Sequence, residues 1–229
     1  MVNFFAENNE EFDLRKFLEN ELIIMSQWES TTHDEIKNPK DLIYRFSLYM
    51  CHINDEMKEV VDAFLHETRD NFVREIIDVA MYTASAINLF ALVYETLPNK
   101  DRDHITFDGI NSIFVTDPKD RIITTKDMVS FVSYSLSIIR EKFPQRKWHK
   151  QLVEFNDEEY KRILEESYLV GCGIINSLIN YAVMSSNKRD VSFFINEKQM
   201  KIVKDALQTG TNHNELTLAK LRGLEYELK

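Results

Sequence analysis

The stretch Ile53-Asn54-Asp55-Glu56-Met57-Lys58-Glu59-Val60-Val61-Asp62-Ala63-Phe64, followed after a polar break by Val73-Arg74-Glu75-Ile76-Ile77-Asp78-Val79-Ala80, decides the fold. Ile53, Met57, Val60, Val61 and Phe64 recur at i, i+4, i+7, i+8 and i+11, the spacing of a helix that buries one face. The second run continues that period through Val73, Ile76, Ile77, Ala80, Thr83, Ala84 and Ile87. Only a short turn, near Thr68 to Asp70, separates the two, so the helices are expected to pack antiparallel.

Working outward, the first helix is expected to run from residue 39 or 41 to 66, with Pro39 at or just before its first turn, and the second from about 70 to 94. An earlier helix over 14–27 carries Phe17, Leu18, Leu22 and Met25 at helical spacing and ends before polar Ser30-Thr31-Thr32-His33-Asp34. Further helices are read over 126–142 and 157–184, the latter with Asn156 or Asp157 as its N-cap. Two shorter ones follow near 196–208 and 214–227, after a loop at Ser185-Ser186-Asn187-Lys188-Arg189-Asp190. Residues 97–123 hold Leu97-Pro98-Asn99-Lys100, Asp108-Gly109 and Asp117-Pro118, turn chemistry that predicts an irregular excursion. With five Gly and four Pro in 229 residues, the punctuation for a many-stranded fold is missing. The expectation is an all-α helical bundle in one domain over 1–229, without internal repeats.

A formal charge of −10 argues against a nucleic-acid surface, which needs a concentrated basic face. It does not exclude free triphosphates, because cations held in an acidic pocket are the largest local charges there. Cys51 and Cys172 are far apart and lack zinc spacing, so they read as reduced core thiols. The N-terminus has no basic segment with a long apolar core, and no segment is read as long enough and uninterrupted enough to span a membrane. The expected location is cytoplasmic.

Each of the two helices carries an acidic pair three residues apart, Glu56 with Glu59 and Glu75 with Asp78. Side chains at that spacing are neighbours on one helix surface, so both can lean toward the same ion. Four oxygen ligands of this kind suit Mg²⁺. Glu56, Glu59, Glu75 and Asp78 are therefore the expected metal set, with Glu56 or Glu59 also positioning and activating a water. Asp55 and Asp62 read as ordinary solvent-facing acids, with support of the metal ligands as the alternative role. A single ExxE is common on a solvated helix, and it is the second, ordered copy that points to a metal.

Competing chemistries lack their residues. A diiron bundle needs Glu-x-x-His pairs, which neither acidic motif supplies. No Walker A loop or GxGxxG motif is present, and Gly171-Cys172-Gly173 lies in an apolar helical run where close helix packing explains it. No nucleophile elbow gives a reason to assemble a serine triad.

The order ExxE, short gap, ExxD over residues 42–90, with Tyr49-Met50 ahead of it, resembles the all-α nucleoside triphosphate pyrophosphatases, the superfamily of MazG, dimeric dUTPases and dCTP pyrophosphatases. It is most similar to a dimeric dUTPase. The resemblance implies a homodimer that hydrolyses a nucleoside triphosphate, with dUTP the expected substrate, to the monophosphate and pyrophosphate with Mg²⁺. It also implies that Gln27 and Trp28 stand where those enzymes form the nucleoside pocket, and that Lys198, Lys201 and Lys204 face the phosphates. The late basic segment departs from the family pattern, because Gly210 is not followed by Tyr. That departure touches base specificity more than metal chemistry. A dCTP pyrophosphatase or a broader MazG-like hydrolase is the alternative within the class. From another class, a catalytically silent helical interaction protein would have acids that point apart and bind no metal.

Overall fold

The computed structural model describes residues 1–5, 12–28, 39–96, 124–143, 157–209 and 215–229. Among these, seven helices and no strand are found: α1 (Leu14–Trp28), α2 (Pro39–His66), α3 (Arg69–Thr96), α4 (Thr125–Glu141), α5 (Asp157–Ser185), α6 (Lys188–Thr209) and α7 (Glu215–Leu228). The all-α expectation holds. The expected excursion at 97–123 and the N-cap at Asn156 lie outside the described residues.

The α2–α3 hairpin follows the sequence pattern closely. Pro39 opens α2, where its missing N–H costs nothing. Thr68 caps α3, its hydroxyl accepting from Asn71 N at 3.3 Å. Every position of the α3 stripe from Val73 to Ile87 is buried, including Thr83, whose hydroxyl donates back to Val79 O at 2.7 Å. On α2 the buried face is Ile53, Met57, Val60 and Ala63, whereas Phe64, expected on that face, is 58% exposed. It lies in the last turn of α2, beside the tight connection, where its ring packs against Phe72 with centroids 5.5 Å apart.

Helix α3 is the central element, packed against α2, α5, α1 and α6. Gly171 makes the α3–α5 approach possible: a Cβ there would lie 3.1 Å from Ile87 Cβ and closer still to its Cγ2. Close packing is thus what this glycine does. Arg69–Tyr94 and Glu158–Ser185 are long and apolar enough to cross a membrane by length and composition, which corrects the expectation that no segment is. In this fold they are the innermost helices, with most of each apolar window buried.

The last connection is tighter than the sequence suggested. Only Ser186 and Asn187 separate α5 from α6, which starts at Lys188 and not near 196. Polar side chains read as a loop serve as a cap: Asn187 Oδ1 accepts from Asp190 N at 2.9 Å, and Asp190 Oδ2 accepts from Ser186 Oγ at 2.9 Å. Arg69 ties the two connections together through Ser185 O and Ser186 O.

The N-terminal segment then fixes α6. Asn196 Nδ2 donates to Val2 O at 2.7 Å while its Oδ1 accepts from Val2 N at 3.0 Å. Phe4, Phe12 and Phe17 pack together beneath that contact. A second apolar cluster, Ile24, Val203, Ala206, Leu221, Leu224 and Leu228, joins α1, α6 and α7. Together these contacts hold α6 across the α1–α3 surface, where its residues 198 and 199 meet the acids. Of the two free thiols, Cys172 is buried as expected, and Cys51 is exposed, because it follows the solvent side of α2 two residues before Ile53.

Candidate metal centre and cleft

Glu56, Glu75 and Asp78 come together, each offering a carboxylate oxygen within 4.8 Å of the others. All three are half-buried, at the rim where α2 and α3 face each other. Glu59, the fourth acid of the expected set, is exposed and is not part of this close group. Its charge still reaches the group, raising the carboxyls of Glu56 and Glu75. Asp55 and Asp62 are exposed, as read.

The electrostatics are those of like charges held close with partial burial. Burial is the largest cause that raises Glu56 from 4.5 to about 7, with Asp78, Glu59 and Glu75 adding to it and Lys198 opposing. Burial likewise raises Glu75 and Asp78, each opposed first by Lys198. Lys198 reaches across from α6 to ion-pair with Asp78. One turn back, Arg74 ion-pairs with Glu197 and lays its guanidinium 4.2 Å over the Phe194 ring, which fixes the register of α6 on α3. Lys201 and Lys204 are exposed and pair with none of these acids. Gln27 and Trp28 end α1, and their side chains lie outside the described residues.

Two of the three converging acids border a cleft of about 790 Å³ between α1, α2, α3 and α6. Glu56 and Asp78 contribute its acidic part, and Met25, Leu48, Tyr49, Met81 and Tyr82 much of the rest. His52 and Tyr82 stack at its side, with ring centroids 5.4 Å apart and planes at 19°. A third acid of the cleft was not anticipated. Glu21 of α1 is 2% exposed, lines the cleft, and accepts from Gln199 Nε2 at 2.7 Å. The amide of Gln199 is held in turn by Asn20 Nδ2, which donates to its Oε1 at 3.1 Å.

The sequence did carry a signal for both residues. Glu21 interrupts the apolar stripe Phe17, Leu18, Met25, and Gln199 interrupts Ile195, Ile202, Val203. A polar side chain at a core position needs a partner, so two such interruptions on separate helices are candidates for each other.

Comparison of the chain with protein-family models, with curated proteins and with solved structures finds no match. Its class therefore rests on its own geometry: an all-α bundle with a three-carboxylate group, two of whose members line an amphipathic cleft.

Proposed function

We propose that the protein is a Mg²⁺-dependent nucleoside triphosphate pyrophosphohydrolase, with dUTP as the first substrate to test. The observation that carries this reading is the convergence of Glu56, Glu75 and Asp78 beside a cleft large enough for a nucleoside. Acids that solvate a silent bundle have no reason to converge, because doing so raises their energy.

Three carboxylate oxygens at this separation form a donor set that fits a hard divalent cation. Glu56, Glu75 and Asp78 would hold it, and when bound it would neutralise the phosphates that these acids otherwise repel. The remaining roles belong to the chain. Glu59 follows Glu56 by one helical turn, is exposed, and its carboxylate makes no hydrogen bond or ion pair among the described residues, which leaves it available to take the proton of a water. That water attacks phosphorus, its oxygen forms the new bond to the nucleoside phosphate, and pyrophosphate leaves. Lys198, held against Asp78, would be released to the departing phosphates when a cation takes that carboxylate. Exposed Tyr44 and Leu48 at the cleft are apolar surface of the kind a second copy covers, in keeping with a homodimer.

The test is a panel of deoxynucleoside triphosphates with Mg²⁺, read by separate assays for pyrophosphate and orthophosphate. Pyrophosphate and monophosphate are the expected products, and Asp78→Asn is expected to lower turnover by about 100-fold or more with its helical circular-dichroism spectrum unchanged. Orthophosphate as the product, or full activity of the variant, refutes the reading.

A further inference from the structure

The cleft carries a side chain that the metal chemistry does not use. Glu56 and Asp78 would meet phosphates, while Glu21 lines the same cleft together with Met25, Arg45, His52, Met81 and the tyrosines. Burying a glutamate to 2% exposure costs stability, and packing alone would be better served by an apolar side chain. Among the described residues no cation pairs with it, so it is not one half of a structural ion pair.

Its environment keeps it uncharged. Burial pushes the carboxyl from 4.5 up to about 8, the hydrogen bond from Gln199 opposes that, and the charge of Asp78 adds to it. A neutral carboxyl carries both an acceptor and a donor. The chain Asn20 to Gln199 to Glu21 orders them: Asn20 donates to the amide oxygen, so the amide nitrogen must face Glu21, and Glu21 Oε1 must accept. The proton is then left on the other oxygen. This is a fixed pattern of neighbouring acceptor and donor, the complement of the donor and acceptor edge of a planar heterocycle such as a nucleobase.

We propose that Glu21, oriented by Gln199 and Asn20, is the group that determines base specificity, by hydrogen-bonding the edge of a nucleobase whose phosphates lie at Glu56 and Asp78. The inference rests on the nucleotide hydrolase reading and adds to it the residue that selects the base. Tyr49 and Tyr82 give the cleft aromatic surface, and aromatic surface discriminates weakly between bases. Selection therefore falls to the polar edge.

The test compares specificity constants for dUTP, dCTP, dTTP, dATP and dGTP with Mg²⁺ in the wild type, Glu21→Met, Glu21→Gln and Gln199→Met. Met matches the length of Glu without its hydrogen bonds, so the ratio between the best and the second base is expected to shrink by about 10- to 100-fold. Gln keeps an acceptor toward Gln199 and a donor toward the cleft, so the order of bases is retained. Gln199→Met, which removes only the orienting amide, is expected to shrink the ratio by about threefold, and it tests the idea even where Glu21→Met does not fold. Unchanged ratios in Glu21→Met and Gln199→Met, equal shrinkage in the Met and Gln variants of Glu21, or a wild type that treats all bases alike overturns the inference while leaving the hydrolase intact. Absence of turnover with every triphosphate overturns the hydrolase reading and this inference with it.

Discussion

Replacing Glu21 by Gln should stabilise the protein, and by an amount that grows with pH. In the unfolded chain this carboxyl ionises near its ordinary 4.5, whereas in the fold burial raises it to about 8. Between those values the folded protein holds a proton that the unfolded chain has released, so stability falls as pH rises. The contribution of Glu21 is fully present below pH 4.5 and is lost by about pH 8. At roughly 1.4 kcal/mol per tenfold change, the loss amounts to about 3 kcal/mol by pH 7. Gln has nearly the same shape, keeps the acceptor that Gln199 requires, and has no proton to lose. Urea unfolding of wild type and Glu21→Gln at pH 5, 6, 7 and 8, at constant ionic strength, measures the difference directly. The two should be close at pH 5 and separate steadily to pH 8, with the variant the more stable. Curves that run parallel across this range would refute the assignment of Glu21 as a buried, protonated acid.

Cation binding should strengthen as pH rises through about 7, where Glu56 loses its proton to become a ligand, and the raised carboxyls of Glu75 and Asp78 act in the same direction. Titration calorimetry with Mg²⁺ or Mn²⁺ in two buffers of different ionisation heat would show proton release, and an affinity independent of pH would contradict it. Lys198→Met removes the cation paired with Asp78, which should cost about 1 to 3 kcal/mol at pH 7.5 without divalent ions and less at pH 5, where Glu56, raised to about 7, holds a proton and the acidic group carries less charge; equal losses at both pH values would mean that the lysine only packs. Gly171→Ala should cost about 1 to 3 kcal/mol by forcing α3 and α5 apart at Ile87, while Gly223→Ala, where nothing lies within 4 Å, should gain about 0.5 to 1 kcal/mol. Thermal denaturation of the two glycine variants checks both, and a neutral Gly171→Ala would show that the helices have slack.

By itself the sequence determined the helices and the pairing at their centre. Local information sufficed there, because the period of Val73, Ile76, Ile77, Ala80, Thr83, Ala84 and Ile87 admits one buried face, and burial of that face is the main gain on folding. Glu56, Glu75 and Asp78 were legible for the same reason: a helical period fixes on which side of a stripe each acid emerges. Where local pattern and packing competed, the sequence misled. Phe64 continues the apolar spacing but lies at the helix end, where little of the core remains to cover it, and Asn187 and Asp190 looked like a loop until their side chains capped α6. Tertiary structure alone decided what α6 does. Lys198 lies 120 residues from Asp78 and Gln199 lies 178 from Glu21, and no period relates residues on helices whose relative placement is set by the N-terminal segment and the second apolar cluster. It also decided that Glu59 stands apart from the other three acids, since one turn of helix separates neighbours on a surface but the way the facing helix packs chooses which of them it meets.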